Sequence, residues 1–373
     1  MRILQISSAQ ALGGGERHLA DLANGLARRG HDVYVALRPN SPLINELNNV
    51  RRENITTLAL RNALDAKSAR DLSKLVKRNR IQIVHAHMAR DYPPAAYASG
   101  TNPGSRLILT RHVLFRLSRL HRLTLSKCAR IIAVSQAVAS QLRAEGVVPP
   151  KKISVVLNGI DTASFQAARE KFVRSEFLRA WELPENCLLA GTVGELTPLK
   201  GQEEFLRAAV KVLEQHPDAH FVIAGIDHSP GHENRVRIEH LIEELNLKEQ
   251  VRLVGWLKDL AQLYCALDVF VSASHTESFG LAIAEAMATG TAVVATETEG
   301  ARELVQPDEN GILVPIGDFG MLANAISRLL EDKDARQRLG TNAQRAATAN
   351  FSVERMTAET EEIYRAELER QSG

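Results

Sequence analysis

Cysteine is scarce in this 373-residue chain: Cys128, Cys187 and Cys265 stand far apart, with no C-x-x-C pair. Neither a disulfide framework nor a cysteine zinc site is signalled, and a reducing, cytoplasmic setting is expected. Long hydrophobic runs are missing too. No stretch reaches the roughly 18 apolar residues that would cross a bilayer, and the apolar part of the N-terminus, MRILQISSAQALGGGE, is too short for a signal peptide. The expectation is a soluble protein, at most peripherally attached to a membrane. Low-complexity segments and repeats of fixed period are absent. No G-x-G-x-x-G follows the first strand candidate, and no acidic residue closes a second strand as a ribose clamp would, which disfavours a nicotinamide dehydrogenase. Net charge is nearly absent as well: 46 Lys and Arg against 44 Asp and Glu leave +2, too little for a protein coated in positive charge to hold nucleic acid.

That sum hides a division. Residues 1–165 carry 25 Lys and Arg against 10 Asp and Glu, a balance of +15, whereas residues 166–373 carry 21 against 34, a balance of −13. With 45% hydrophobic and 24% charged residues, the chain can bury a core, and disorder is excluded as its main state. At roughly 100–200 residues per domain, the length predicts two domains.

Short β-branched runs alternate with longer amphipathic stretches. Strands are predicted at Arg2–Ile6, Val33–Leu37, Ile55–Leu60, Ile81–His85, Leu107–Thr110, Ile131–Val134 and Ser154–Leu157, then at Leu188–Val193, His220–Ala224, Val251–Val254, Val269–Ser272, Thr291–Ala295 and Ile312–Val314. Runs that are apolar throughout suggest parallel strands covered on both faces. Two doubly wound α/β domains in tandem follow, with the junction inside the strandless stretch 158–185. Glu16–Arg29 carries Leu19, Leu22, Ala23 and Leu26 at helical spacing and stops at Gly30, and Ser352–Leu368 reads as a terminal helix.

Three motifs sit at carboxyl ends of predicted strands, where open α/β sheets bind ligands. Gly13-Gly14-Gly15 opens a helix whose free N–H groups would attract phosphate or a polar sugar, although a plain βα turn fits three glycines equally well. Glu277 lies in a short loop and Glu285 about two turns into an Ala-rich helix, where a buried carboxylate needs a donor or a ligand hydroxyl. The competing account is a Ser274–Glu277 capping box with one well-paired core Glu. Lys200, between a turn and a helix start, is placed to meet a diphosphate, or is a plain exposed lysine. Of the histidines, His85 and His87 alternate on one strand and share a face, but no Asp or Cys accompanies them at metal-ligand spacing, and His87 reads as structural more than functional. His112, at the carboxyl end of its strand, has an active-site address.

The segments GGGERHLADLANGLARRGHDVYV, IQIVHAHMA, LTRH, ARIIAVSQAV, ISVVLNGIDTASF, GTVGELTPLKG, FVIAG, VRLVGW, TESFGLAIAEAMATGTAVVAT and GILVP together resemble the retaining glycosyltransferases of family 4. The most specific element is E-x7-E, Glu277 to Glu285. The resemblance implies a GT-B fold: two Rossmann-like doubly wound parallel-sheet domains facing a cleft, residues 1–165 for the acceptor, joined by a returning helix at 352–373, and residues 166–351 for a nucleotide-sugar. It implies that Glu285 holds the donor ribose and Glu277 a hydroxyl of the transferred sugar. Phe279, Gly280 and Leu281 would meet sugar or diphosphate through backbone N–H groups. Lys200, with Gly14 and Gly15, would face the diphosphate, His112 the sugar near the reacting centre, and Val254 and Gly255, with Trp256, the base. Arg111, Arg116 and His87 are the acceptor candidates. No D-x-D cation site is evident, so no cofactor and no metal are expected.

The implied activity is hexosyl transfer from a nucleotide-sugar, a UDP-sugar ahead of a GDP-sugar, to a saccharide, lipid-linked or other hydroxyl acceptor in glycoconjugate or polysaccharide synthesis. A nucleotide-sugar 2-epimerase of GT-B architecture and a non-catalytic nucleotide-sugar-binding module are the alternatives. One position departs from the family pattern: Glu195 stands where a second diphosphate cation, Arg, is common. Between Arg111 and Arg130 lie six Lys or Arg and no acid, with Leu117, Leu120 and Leu123 beside Arg116, Arg119 and Arg122. Such a helix would lie on an anionic membrane or receive an anionic acceptor, or be a solvated helix with its leucines in the core.

Overall fold

The computed structural model describes residues 1–117, 121–257 and 259–372, without the side chains of residues 122, 123, 371 and 372. They form two compact units: Met1–Gly159 together with the segment from Val353 onward, and Ile160–Ser352.

The first unit is a seven-stranded parallel sheet of β1 (Arg2–Ser7), β2 (Asp32–Leu37), β3 (Ile55–Thr57), β4 (Ile83–Ala86), β5 (Arg106–Arg111), β6 (Arg130–Ala133) and β7 (Ile153–Val155), in the order β3-β2-β1-β4-β5-β6-β7. Successive side chains of a strand point to opposite faces. Ile3, Ile83 and Ile108 therefore pack on one face with Leu19, Leu22 and Leu26, while Leu4, Val84 and Leu109 pack on the other with Leu72 and Leu142. Two covered faces are the reason the strands read as unbroken apolar runs. The helix Val353–Ser372 belongs to this unit, with Val353, Met356 and Tyr364 in the first of these cores.

The second unit is a six-stranded parallel sheet of β8 (Leu188–Val193), β9 (Ala219–Ala224), β10 (Val251–Val254), β11 (Val269–Ser272), β12 (Ala292–Thr296) and β13 (Ile312–Val314), in the order β10-β9-β8-β11-β12-β13. All thirteen strands fall where the sequence places them. The third is shorter than expected, ending at Thr57, and Leu60, read as its last residue, takes φ +40, outside extended geometry.

The junction falls at Gly159/Ile160, ahead of the 165/166 read from the sequence. Ile160 N–H donates to the Phe351 carbonyl at 2.8 Å, and the two chain crossings lie side by side. What reads as linker is the second unit's first helix, Thr162–Lys171, capped by Asp161. The basic segment is not one helix either. β5 runs through Arg111, the next helix is His121–Lys127, and β6 starts at Arg130. Leu117 packs against the core; Arg119 and Leu120, and the side chains of Arg122 and Leu123, lie outside the described residues. Among those residues no helix is long and apolar enough to cross a membrane.

Candidate active site

In each sheet the strand order reverses at one place, between β1 and β4 and between β8 and β11. Loops leaving neighbouring strands in opposite directions open a crevice there, outside the carboxyl ends. The motifs collect at these two points.

At the second, β8 leads into the turn bearing Lys200 and β11 into the loop 273–280. Lys200 Nζ lies 2.5 Å from Glu277 Oε1, the side chains 31% and 13% exposed. A glycine makes this approach feasible. Gly201 has φ +67, and a Cβ on it would lie 2.0 Å from the Ala273 carbonyl oxygen, so only glycine lets the turn after β8 touch the end of β11. The turn is tied down by His275 N–H donating to the Leu199 carbonyl at 2.8 Å. Ser274 Oγ donates to Glu277 Oε1 at 2.8 Å. The capping-box account of Ser274 and Glu277 therefore fails: both precede the helix, whose N-cap is Gly280 at φ +99 with no side-chain cap.

That helix, Leu281–Ala288, presents first-turn N–H groups without intrahelical acceptors. Leu281 and Ala282 are half-buried, Phe279 and Gly280 buried. Orphan donors and the positive end of the helix dipole make this an address for an anion or a polar hydroxyl. Glu285, buried at 5% exposure, accepts from Tyr264 Oη at 2.8 Å, which supplies the partner a buried carboxylate requires. Val254 ends β10, and Gly255 and Trp256 beyond it are exposed. Glu195 is exposed; its carbonyl, not its carboxylate, is held by Gln202 Nε2 at 3.0 Å. Arg302, on the helix Glu299–Leu304, pairs with Glu297 at 2.6 Å.

In the first unit, β1 leads to Gly13, whose N–H donates to Glu16 Oε2 at 3.0 Å and caps the helix Gly14–Arg28. Gly14 is exposed and Gly15 half-buried; a Cβ on Gly15 would lie 3.5 Å from the His112 ring. His112 follows β5, half-buried, at the expected address. His85 is an internal strut, its Nδ1 2.5 Å from Tyr364 Oη and its Nε2 2.7 Å from Thr110 Oγ1. His87 lies just past β4, its Nε2 2.7 Å from Gln5 Oε1 and its Nδ1 3.4 Å from His112 Nε2. His18 completes the group, its ring centroid 4.7 Å from that of His112. Sequence reasoning passed over His18; its one signal was a place on the buried stripe of its helix, one turn before Leu22. Burial lowers the pKa of His18 to about 4 against a hydrogen bond to Asn158, and holds His85, His87 and His112 well below the usual imidazole range. Of the acceptor candidates, Arg116 is exposed, whereas Arg111 is buried and donates to the Phe115 carbonyl, so its guanidinium is already engaged.

Two parallel sheets with these strand orders and site loops define the GT-B class of α/β proteins. Residues 12–164 match the family Glycosyltransferase Family 4 and residues 173–346 the family Glycosyl transferases group 1. The chain belongs to this family of glycosyltransferases. It is 35% identical over 219 residues to the D-inositol 3-phosphate glycosyltransferase of Corynebacterium urealyticum, a match over 58% of this chain and 51% of that protein. The chain thus spans about half the length of that curated relative. It is 28% identical over 349 residues to the UDP-Gal:alpha-D-GlcNAc-diphosphoundecaprenol alpha-1,3-galactosyltransferase of Escherichia coli, covering 89% of this chain and 88% of that one. Among solved structures, Anabaena Alr3699/HepE in complex with UDP-glucose superposes with a TM-score of 0.82 at 25% identity, over 98% of this chain and 100% of that chain.

Proposed function

We propose that the protein transfers a hexosyl group, with retention of configuration, from a UDP-sugar to a hydroxyl of an anionic acceptor. The observation that carries this reading is the Lys200–Glu277 pair set before an uncapped helix start at the β8/β11 reversal. Cleaving a glycosyl phosphate bond leaves positive charge on the sugar and an added negative charge on the departing diphosphate. Lys200 and the N–H groups of Gly280 and Leu281 offset the second; Glu277 holds a sugar hydroxyl, and Glu285 the ribose. Val254 and Gly255 face the base. From the first unit, Gly14 and Gly15 serve the diphosphate and His112 the reacting sugar. The acceptor hydroxyl attacks the anomeric carbon, its proton passing to the leaving phosphate oxygen. With this positive charge in place, transfer needs no metal ion.

The acceptor class rests on charge. The first unit, with its returning helix, holds 28 Lys and Arg against 15 Asp and Glu, and the names of the two relatives cited contain an inositol phosphate and a diphospholipid. The test is a thermal-shift screen over UDP, GDP and ADP and their sugars, followed by transfer from the stabilising donor to phosphate-bearing and neutral acceptors in EDTA. A midpoint raised by UDP and its sugars, with transfer to the charged acceptors, is expected. Stabilisation by GDP or ADP alone would overturn the donor, equal transfer to neutral acceptors the acceptor, and inactivity in EDTA the metal independence.

A further inference from the structure

We propose that His18, His87 and His112 form a site for a divalent transition-metal ion, with zinc the ion it suits best. One nitrogen from each of the three rings lies within 4.8 Å of the other two. His87 Nδ1 and His112 Nε2 are 3.4 Å apart, about the edge of a tetrahedron with metal–nitrogen bonds of roughly 2.0–2.1 Å. The third nitrogen lies no more than 4.8 Å from either, so closing it to a 3.4 Å edge takes a change of up to about 1.4 Å.

The surroundings orient these rings as ligands. His18 Nδ1 faces Asn158 Oδ1 at 2.8 Å and His87 Nε2 faces Gln5 Oε1 at 2.7 Å. Gln5 cannot offer its nitrogen there, because that nitrogen donates to Tyr364 Oη. His18 and His87 thus each spend the ring proton on that oxygen and leave a lone pair on the other nitrogen. His18 Nε2 is buried with no partner among the described residues, as is His112 Nδ1. A buried polar atom without a partner calls for an occupant.

The ligand type selects the ion. Three neutral imidazoles with no carboxylate among them suit zinc and its first-row neighbours, not calcium or magnesium, which take oxygen ligands. His112 is half-buried beside the open Gly14–Gly15 turn, which leaves a path for entry and a fourth position for water or an anion. An ion held there takes His112 away from the sugar, so the site inhibits transfer and is not part of it.

The test is titration of metal-free protein with Co2+, followed by visible absorption, and with Zn2+ by calorimetry. The wild type is expected to take one equivalent of Co2+ with a tetrahedral spectrum, displaced by Zn2+. Asn158→Ala should weaken zinc binding by roughly 10–100-fold, His18→Gln and His87→Gln by more, and His228→Gln, an exposed residue of the other unit, not at all. Far-UV circular dichroism checks the fold of each variant. Failure of the wild type to bind one equivalent overturns the proposal whatever the variants do, as does undiminished binding in folded His18→Gln and His87→Gln. None of these readouts depends on transfer, so the proposal stands or falls apart from the enzymatic reading.

Discussion

Lys200→Ala separates a diphosphate ligand from a structural ion pair. The ammonium lies 2.5 Å from Glu277 Oε1, with 31% of the lysine and 13% of the glutamate side chain exposed. A pair this open to water contributes about 0–1 kcal/mol, and Glu277 keeps the Ser274 hydroxyl when the lysine goes, so unfolding stability should fall by no more than about 1 kcal/mol. The loss in ligand binding should be larger. A hydrogen bond to a charged group is worth about 1.5–3 kcal/mol, which predicts a roughly 10–150-fold loss of UDP affinity at 1.4 kcal/mol per tenfold. The loss in kcat/KM should be at least as large, because the leaving diphosphate carries more charge than the bound sugar nucleotide. Calorimetric titration with UDP and with uridine, alongside urea unfolding, separates the terms: uridine, lacking phosphate, should bind both forms alike. Unchanged UDP affinity in a Lys200→Ala protein of near wild-type stability would refute the assignment and leave the lysine as Glu277's partner alone.

The exposed Glu195 has no side-chain partner among the described residues, so Glu195→Ala should leave UDP-sugar affinity unchanged or improved, measured by the same titration; a tenfold loss would make Glu195 a ligand residue. Gly280→Ala should destabilise the second unit by about 1–3 kcal/mol, because φ is +99 and a Cβ would lie 3.0 Å from Ile283 Cδ1; urea unfolding followed by fluorescence reads this, since both tryptophans, Trp181 and Trp256, are in that unit. Acid should act on the other unit. Burial drops His18 to about 4, whereas an unfolded imidazole titrates near 6.5, so its neutral form contributes about 3 kcal/mol at neutral pH, lost as pH falls from about 6.5 to 4. His85, His87 and His112 act with the same sign. Hydrogen-exchange protection of β1 and β4 amides, corrected for intrinsic rates, should therefore fall between pH 7 and 5 while that of β8 and β11 holds; parallel losses would refute it.

The parts of this molecule that could be read in advance share one property: their physics is local. A strand covered on both faces is apolar residue by residue, so Ile3-Leu4 or Ile83-Val84 announces itself even though the two side chains enter different cores. A ligand loop follows its strand directly, so Lys200 and Glu277 could each be suspected alone. Their contact could not, since it depends on β8 lying beside β11 and on Gly201 letting two backbones touch. The histidines fail the same way. Three helix and loop positions at 18, 87 and 112 have no metal-ligand spacing in sequence; the order β1-β4-β5 gathers them. The segment 111–130 shows the converse error. Its leucine and arginine spacing imitates one amphipathic helix, but β5 ends and β6 begins inside it, and edge-to-edge pairing in the sheet overrides periodicity.

The same logic revises the charge division. Assigning charges by sequence halves gives +15 and −13, but the returning helix Val353–Ser372 brings six Asp and Glu and three Lys and Arg to the first unit, so the folded units carry 28 basic against 15 acidic and 18 against 29. Two of those carboxylates are already spent. Glu361, nearly buried, meets His31 at 2.9 Å and also Arg29 and Arg365. Glu367 meets Arg130 Nη2 at 2.5 Å and also Arg370. Burial works against the Glu361 charge, but Arg365, Arg29 and His31 outweigh it and hold its pKa near 2. These acids dock the helix and pair with Arg29 and Arg130, beside the starts of β2 and β6. The other Lys and Arg are spread over both ends of the sheet: Arg38, Arg90 and Arg116 follow strands, whereas Lys77, Arg78, Lys127, Lys151 and Lys152 precede them. Net positive charge is thus a property of the first unit as a whole, and the fold does not gather it at one end of the sheet.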